Sequence, residues 1–296
     1  VGELPAAVPA PESAAPKRSS WAVPLRVASG LLFVPLLILL ARVGGLAFVA
    51  FVALEVTLGL IEFYRMMRGR GLRPYRRLGI VSALGVLWVC FRPHTPQAAF
   101  LLTAVLLLAL ALELRRPEAR QRVEDLAVTW FGVLYVGWLS AHFVLLRELP
   151  WRAGTAYADG ASYLLLAFFL TWSCDSVAFA VGRQFGRNRP WTRISPRKSV
   201  EGAVGGLVAA LAAALIARRW FAPYLGVRDA LVLGLLVGIA AQVGDLVESL
   251  LKRDAAHGDS SDLIPGHGGI LDRFDSLYFA APLVYYYLAA VVFRVP

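Results

Sequence analysis

The chain has 296 residues, 58% of them apolar and only 17% charged, with a mean hydropathy of +0.62. That balance excludes an ordinary soluble globular domain and indicates a polytopic membrane protein. Thirty Lys and Arg against twenty Asp and Glu leave a net charge of +10; in a membrane protein such an excess reports topology through its distribution among loops, so no nucleic-acid partner is expected.

Residues 1–20 are rich in Pro, Ala and Ser and carry no apolar run, so they are expected to be a disordered tail rather than a secretory signal. Nine apolar stretches follow, near residues 27–41, 43–61, 78–91, 97–112, 126–146, 161–182, 203–217, 230–251 and 277–293. A helix needs roughly 20 apolar residues to cross a bilayer, so the first, third and seventh are short and would require completion by their flanks, local thinning of the bilayer or partial burial in protein. The expected fold is an all-α polytopic membrane protein of about nine transmembrane helices. Residues 21–160 would hold about five of them, and residues 161–296 a catalytic region of about four.

Nine spans sort the cations cleanly. Twenty-two of the thirty Lys and Arg fall on the side of the N-terminus, and eight fall opposite: Arg42, Arg92, Arg147, Arg152, Arg218, Arg219, Arg228 and Arg294. The positive-inside rule then places the N-terminus in the cytoplasm and the C-terminus across the membrane. Cys90 and Cys174 lie far apart inside apolar runs and are expected to be buried free thiols.

Ionisable residues inside spans are costly, so each is a functional candidate. Glu62 is expected to form a solvated helix-end pair with Arg65, three residues on, and Glu55 and His142 to be internally hydrogen-bonded polar residues. Asp175 opens the basic segment of residues 175–206, "DSVAFAVGRQFGRNRPWTRISPRKSVEGAVGG", whose six cations suit phosphates or anionic head groups. Within it Ser195, Lys198, Ser199 and Glu201 stand just before a Gly-rich helix start. In "GDLVESLLKRD", Asp245, Glu248, Ser249 and Lys252 recur at i, i+3, i+4 and i+7, which is one polar stripe on an apolar helix. Farther on, "LIPGHGGILDRFDS" puts Gly266, Gly268, Gly269, His267, Asp272, Arg273 and Asp275 against the last span. The glycines would let backbone N–H groups reach phosphate oxygens, helped by the positive end of the following helix, and the carboxylates suit a hard cation.

These two clusters resemble the signatures of the phosphatidate cytidylyltransferase (CDP-diacylglycerol synthase) family of membrane CTP-transferases. Ser249, Lys252, Arg253, Asp259, Pro265, His267, Gly268, Gly269, Asp272, Arg273 and Asp275 match its C-terminal signature; "ISPRKSVEG" and "DSVAFAVGRQFG" match its upstream elements, so the resemblance covers about residues 170–276. Gly258 stands where the family carries Lys, and Ser199 where it commonly carries Thr. The resemblance implies a cytoplasmic-side site in a bacterial-type plasma membrane that joins CTP and phosphatidate, with membrane lipids around it and a homodimer as the assembly. It implies Mg2+, with a second cation as a further expectation, held by Asp245, Asp272 and Asp275. Lys252, Arg253 and His267 complete the expected catalytic set, and Ser195, Lys198, Glu201, Ser249, Asp259, Gly268, Gly269, Arg273 and Asp175 the expected substrate contacts. Two other classes stand beside it: a CTP-dependent polyprenol or lipid-alcohol kinase, which needs a base for its hydroxyl, and a secondary transporter. The transporter has no internal repeat here to support it, and the charges gather at one side rather than at midplane.

Overall fold

A computed structural model describes residues 22–92, 97–114, 122–255 and 269–295, and these are helical throughout, with no strand among them. Each of the nine apolar stretches becomes a helix: α1 (Ala22–Val43), α2 (Gly45–Gly69), α3 (Arg76–Phe91), α4 (Gln97–Glu113), α5 (Arg122–Gly132) running through a π turn (Val133–Trp138) into α6 (Leu139–Glu148), then α8 (Asp159–Phe185), α9 (Val200–Trp220), α10 (Val227–Asp254) and α11 (Leu271–Tyr287) with its own π turn (Leu288–Val292). A single turn, α7 (Pro150–Ala153), sits between α6 and α8. Six of these segments are long and apolar enough among the described residues to cross a membrane: α2, α5–α6, α8, α9, α10 and α11 with its π turn. The seventh stretch is completed by its flanks, extending at both ends into a 21-residue helix, with Ser199 as its N-cap and Arg218 and Arg219 in its last turn. The fourth, α4, is itself short, at 17 residues.

Exposed apolar side chains, such as Leu32, Leu46, Phe100 and Val208, would be a defect in water and are what lipid requires. One continuous core runs beneath them from Leu37 on α1 to Leu288 after α11. Without a hydrophobic drive between helices in lipid, close packing relies on small residues. At Gly206 a Cβ would lie 2.9 Å from the Cβ of Ala178, so α8 and α9 meet nearly backbone to backbone. At Gly244 a Cβ would lie 2.5 Å from the carbonyl oxygen of Asp275, so α10 and α11 meet in the same way.

The connections sort into two ends. At one end Arg70 pairs with Asp254, the Arg73 N–H donates to Asp125 at 2.5 Å, and the Arg253 guanidinium donates to the Ile194 carbonyl. These contacts join the α2–α3, α4–α5, α9-preceding and α10-following connections. At the other end the Gly45 N–H donates to the Tyr157 hydroxyl at 2.8 Å, Arg152 donates to Tyr285 at 3.0 Å, and Tyr287 donates to Asp229 at 2.9 Å. Alternate connections therefore share an end. Arg147, counted in sequence as a loop cation, is fully buried at this second end, where it donates to the Ala41, Arg42 and Tyr157 carbonyls and so closes the C-terminus of α1. Exposed Trp88, Trp151 and Trp220 lie at the same end, where amphipathic rings suit a head-group layer.

Candidate active site

At the first end four elements converge: the lower part of α8, the turn before α9, the last two turns of α10 and the first turn of α11. Close approach at Gly244 places the α10 stripe against α11. Asp245 and Glu248 thus look onto Asp272 and Asp275. Phe274, between those two aspartates, anchors the turn by packing on Phe143, 5.9 Å between ring centroids, and on Phe168.

The stripe expected on α10 is present, and its partners come from both clusters. Lys198, from the turn before α9, brings its Nζ to 2.9 Å from Asp245 Oδ2 in an ion pair. Lys252 pairs with Glu248 one turn back, at 3.1 Å, and with Asp272 on α11. Ser249 Oγ lies 3.5 Å from Asp245 Oδ1 as a long donor. Asp175 on α8 senses the charges of Asp245 and Lys198 and contacts the Ser276 side chain; Asp275 senses Asp245 and Asp175 and contacts Glu248. Five carboxylates and two ammonium groups thus share one partly buried region, a balance that attracts further cations.

Other expected contacts have local duties. Ser195 lies in a tight turn, its carbonyl accepting the Lys198 N–H at 3.2 Å, which sets where Lys198 leaves the chain. Ser199 caps α9 by accepting the Gly202 N–H at 3.2 Å. Glu201 accepts from the Arg187 N–H at 3.1 Å and from the Asn188 side-chain amide at 2.8 Å, so it latches the basic turn onto α9. Arg253 ties the end of α10 to that turn through Ile194. Arg273 is exposed on the first turn of α11. Gly258, Asp259, His267 and Gly268 lie outside the described residues.

One expectation is corrected. Glu62 is not a solvated partner of Arg65: it is 0% exposed, and its two carboxylate oxygens accept the N–H groups of Ile270 and Leu271, each at 3.0 Å. The first N–H groups of a helix lack intrahelical acceptors, and a buried carboxylate satisfies two of them here. The Gly269 N–H is likewise directed to Asp272, at 3.4 Å. The start of α11 therefore carries its own carboxylates. Glu248, seen in sequence as part of the stripe without a role, is only 3% exposed and is the shared neighbour of Lys252, Asp272 and Asp275. Its helical spacing was the available signal; the Glu62 contact, more than 200 residues apart in sequence, left none.

Glu55 and His142 behave as expected. Tyr278 donates to Glu55 at 2.6 Å, and His142 Nδ1 lies 2.9 Å from the Trp138 carbonyl. Both cysteines are free and buried.

With this geometry in view, a profile of the Cytidylyltransferase family matches residues 24–291. The chain belongs to this family. Phosphatidate cytidylyltransferase of Synechocystis is 36% identical over 289 residues, covering 90% of this chain and 97% of that protein. Phosphatidate cytidylyltransferase of Bacillus subtilis is 32% identical over 276 residues, covering 89% and 97%. A chloroplastic relative of Arabidopsis thaliana, phosphatidate cytidylyltransferase 5, is 32% identical over 267 residues, covering 82% of this chain and 66% of its own length. The cytidylyltransferase match spans nearly all of the helices, so α1–α7 belong to the family fold as fully as the signature-bearing α8–α11.

Proposed function

We propose that the chain is a phosphatidate cytidylyltransferase, joining CTP and phosphatidate to give CDP-diacylglycerol and pyrophosphate at the end of the molecule where α8, α10 and α11 converge. The observation that carries the assignment of the site is the Lys198–Asp245 ion pair, which brings the two signature clusters, 47 positions apart, to one point.

A phosphatidate oxygen attacks the α-phosphorus of CTP, the bond from that phosphorus to the bridging oxygen breaks, and pyrophosphate leaves with the electron pair. The nucleophile is an anion already, so it needs alignment and charge neutralisation rather than a base. Lys198 and Lys252 are held at the carboxylates by ion pairs and Arg253 by Ile194, which supports their reading as the cations that neutralise a triphosphate. Arg273 adds a fourth cation from α11. Carboxylate oxygens are the donors that Mg2+ takes together with substrate phosphates, and the buried Glu248 Oε1 has no hydrogen-bond partner. Among the described residues no three such side chains converge as a ready-made metal site, so Asp245, Asp272 and Asp275 would hold Mg2+ only together with substrate phosphates, whose charge it would neutralise when bound. Asp175 and Glu248 lie beside those acids and set the local charge.

The arginine-rich connections share this end, so the positive-inside rule puts the site at the cytoplasmic face, where CTP is available, with the lipid entering sideways from the bilayer. A homodimer rests on family resemblance and is checked by cross-linking in native membranes. The reaction is tested with purified protein, Mg2+, phosphatidate and CTP labelled at either the α- or the γ-phosphorus. Label from the α position in lipid and from the γ position in pyrophosphate supports the reading. Transfer of the γ label to a lipid alcohol, with release of CDP, would make the chain a kinase.

A further inference from the structure

The first turn of α11 carries two of the site's carboxylates, yet it is held from outside the signature segments. Glu62, on α2, is completely buried and spends both oxygens on the Ile270 and Leu271 N–H groups. Three residues earlier, at Gly59, α11 already lies within van der Waals reach of α2: a Cβ there would stand 3.5 Å from Leu271 and 3.4 Å from the Tyr278 hydroxyl. Just past the C-terminus of α2, Arg70 pairs with Asp254, the last residue of α10. One rigid helix thus touches both α10 and α11 where they flank the site. A bidentate carboxylate on successive N–H groups fixes position as well as orientation, because both bonds stay short only at one offset between the helices.

We propose that Glu62 is a positioning residue for the reaction: it fixes the first turn of α11 relative to α10, and with it Asp272 against Lys252 and Asp275 against Asp245. This rests on the reading that the α10–α11 carboxylates form the active site. A glutamine at the same place keeps one acceptor and turns an amide N–H₂ toward a backbone N–H, so it preserves size while breaking half of the clamp.

The experiment compares wild type, Glu62→Gln, Glu62→Asp and Asp272→Asn in detergent, by hydrogen exchange of the amides at residues 269–276 and by steady-state turnover. Glu62→Gln is expected to speed exchange there about tenfold or more and to lower kcat about tenfold, with KM for CTP moving less than about threefold, as for a lost geometry rather than a lost contact. Glu62→Asp, which keeps the charge on a shorter stem, is expected to recover part of both and supplies the measurement if the glutamine variant does not fold. Unchanged exchange in both Glu62 variants overturns the clamp itself. Faster exchange with unchanged kcat overturns its role in the reaction. Near-normal turnover in Asp272→Asn, by contrast, would remove the site reading on which the proposal rests, whatever Glu62 does.

Discussion

Lys198 and Asp245 are the pair on which the site turns. Both side chains are partly exposed, so their attraction adds little to stability, and the lysine is better understood as a cation stationed beside acids until a polyanion arrives. Lys198→Met should therefore leave the melting temperature within a few degrees while raising KM for CTP about tenfold or more, measured at saturating phosphatidate. Lys252 differs, being only 14% exposed and held between Glu248 and Asp272. Removing it strands two acids, so Lys252→Met is expected to cost both turnover and stability, seen as a lower melting temperature in the same detergent. Most of these residues were legible in sequence because chemistry leaves local spacing: Asp245, Glu248, Ser249 and Lys252 sit on one helical face, and Lys198 precedes a helix start. Glu62 was misread for the opposite reason. Its neighbour in sequence is Arg65, whereas its partners are the backbone N–H groups of Ile270 and Leu271, brought by tertiary packing, and no side-chain pattern records a backbone donor.

At the scale of elements, the position of α11 follows from what α10 and α2 lack. Gly244 on α10 has no side chain where the backbone of Asp275 passes, and a Cβ there would sit 3.1 Å from the Ser276 Cα as well. Gly244→Ala should push the helices apart and misplace Asp275, lowering kcat about tenfold or more; a rate within twofold of wild type would show that the contact can relax at no cost. The helices themselves were readable from apolar length alone, and the nine stretches all became helices. Their ends were not: α9 is longer than its apolar run because Ser199 caps it and Glu201 latches the preceding turn, which are polar contacts that hydropathy does not register. The π turn at Val133–Trp138 was equally invisible, since an inserted residue changes register without changing composition.

For the whole molecule, the alternation of cations predicted which connections share an end, and the cross-contacts Arg70–Asp254 and Gly45–Tyr157 group them in the same way. A cysteine introduced at exposed Arg70 should accordingly react with an impermeant thiol reagent only from the cytoplasmic face of sealed vesicles, and one at exposed Trp151 only from the other; Cys90 and Cys174 are buried and form a low background. Arg147 shows why a cation count is a statistical rule rather than a structural one: it lies on the cation-poor side because it closes a helix, not because of any field. Both ends serve one arrangement, in which a belt of apolar helices suspends a small group of acids and lysines at one face. The most direct test of that arrangement is turnover of Asp245→Asn with CTP, phosphatidate and Mg2+, alongside its melting temperature. Loss of the central carboxylate should lower kcat about 100-fold or more in a protein that still melts like the wild type. Turnover close to wild type would contradict the account.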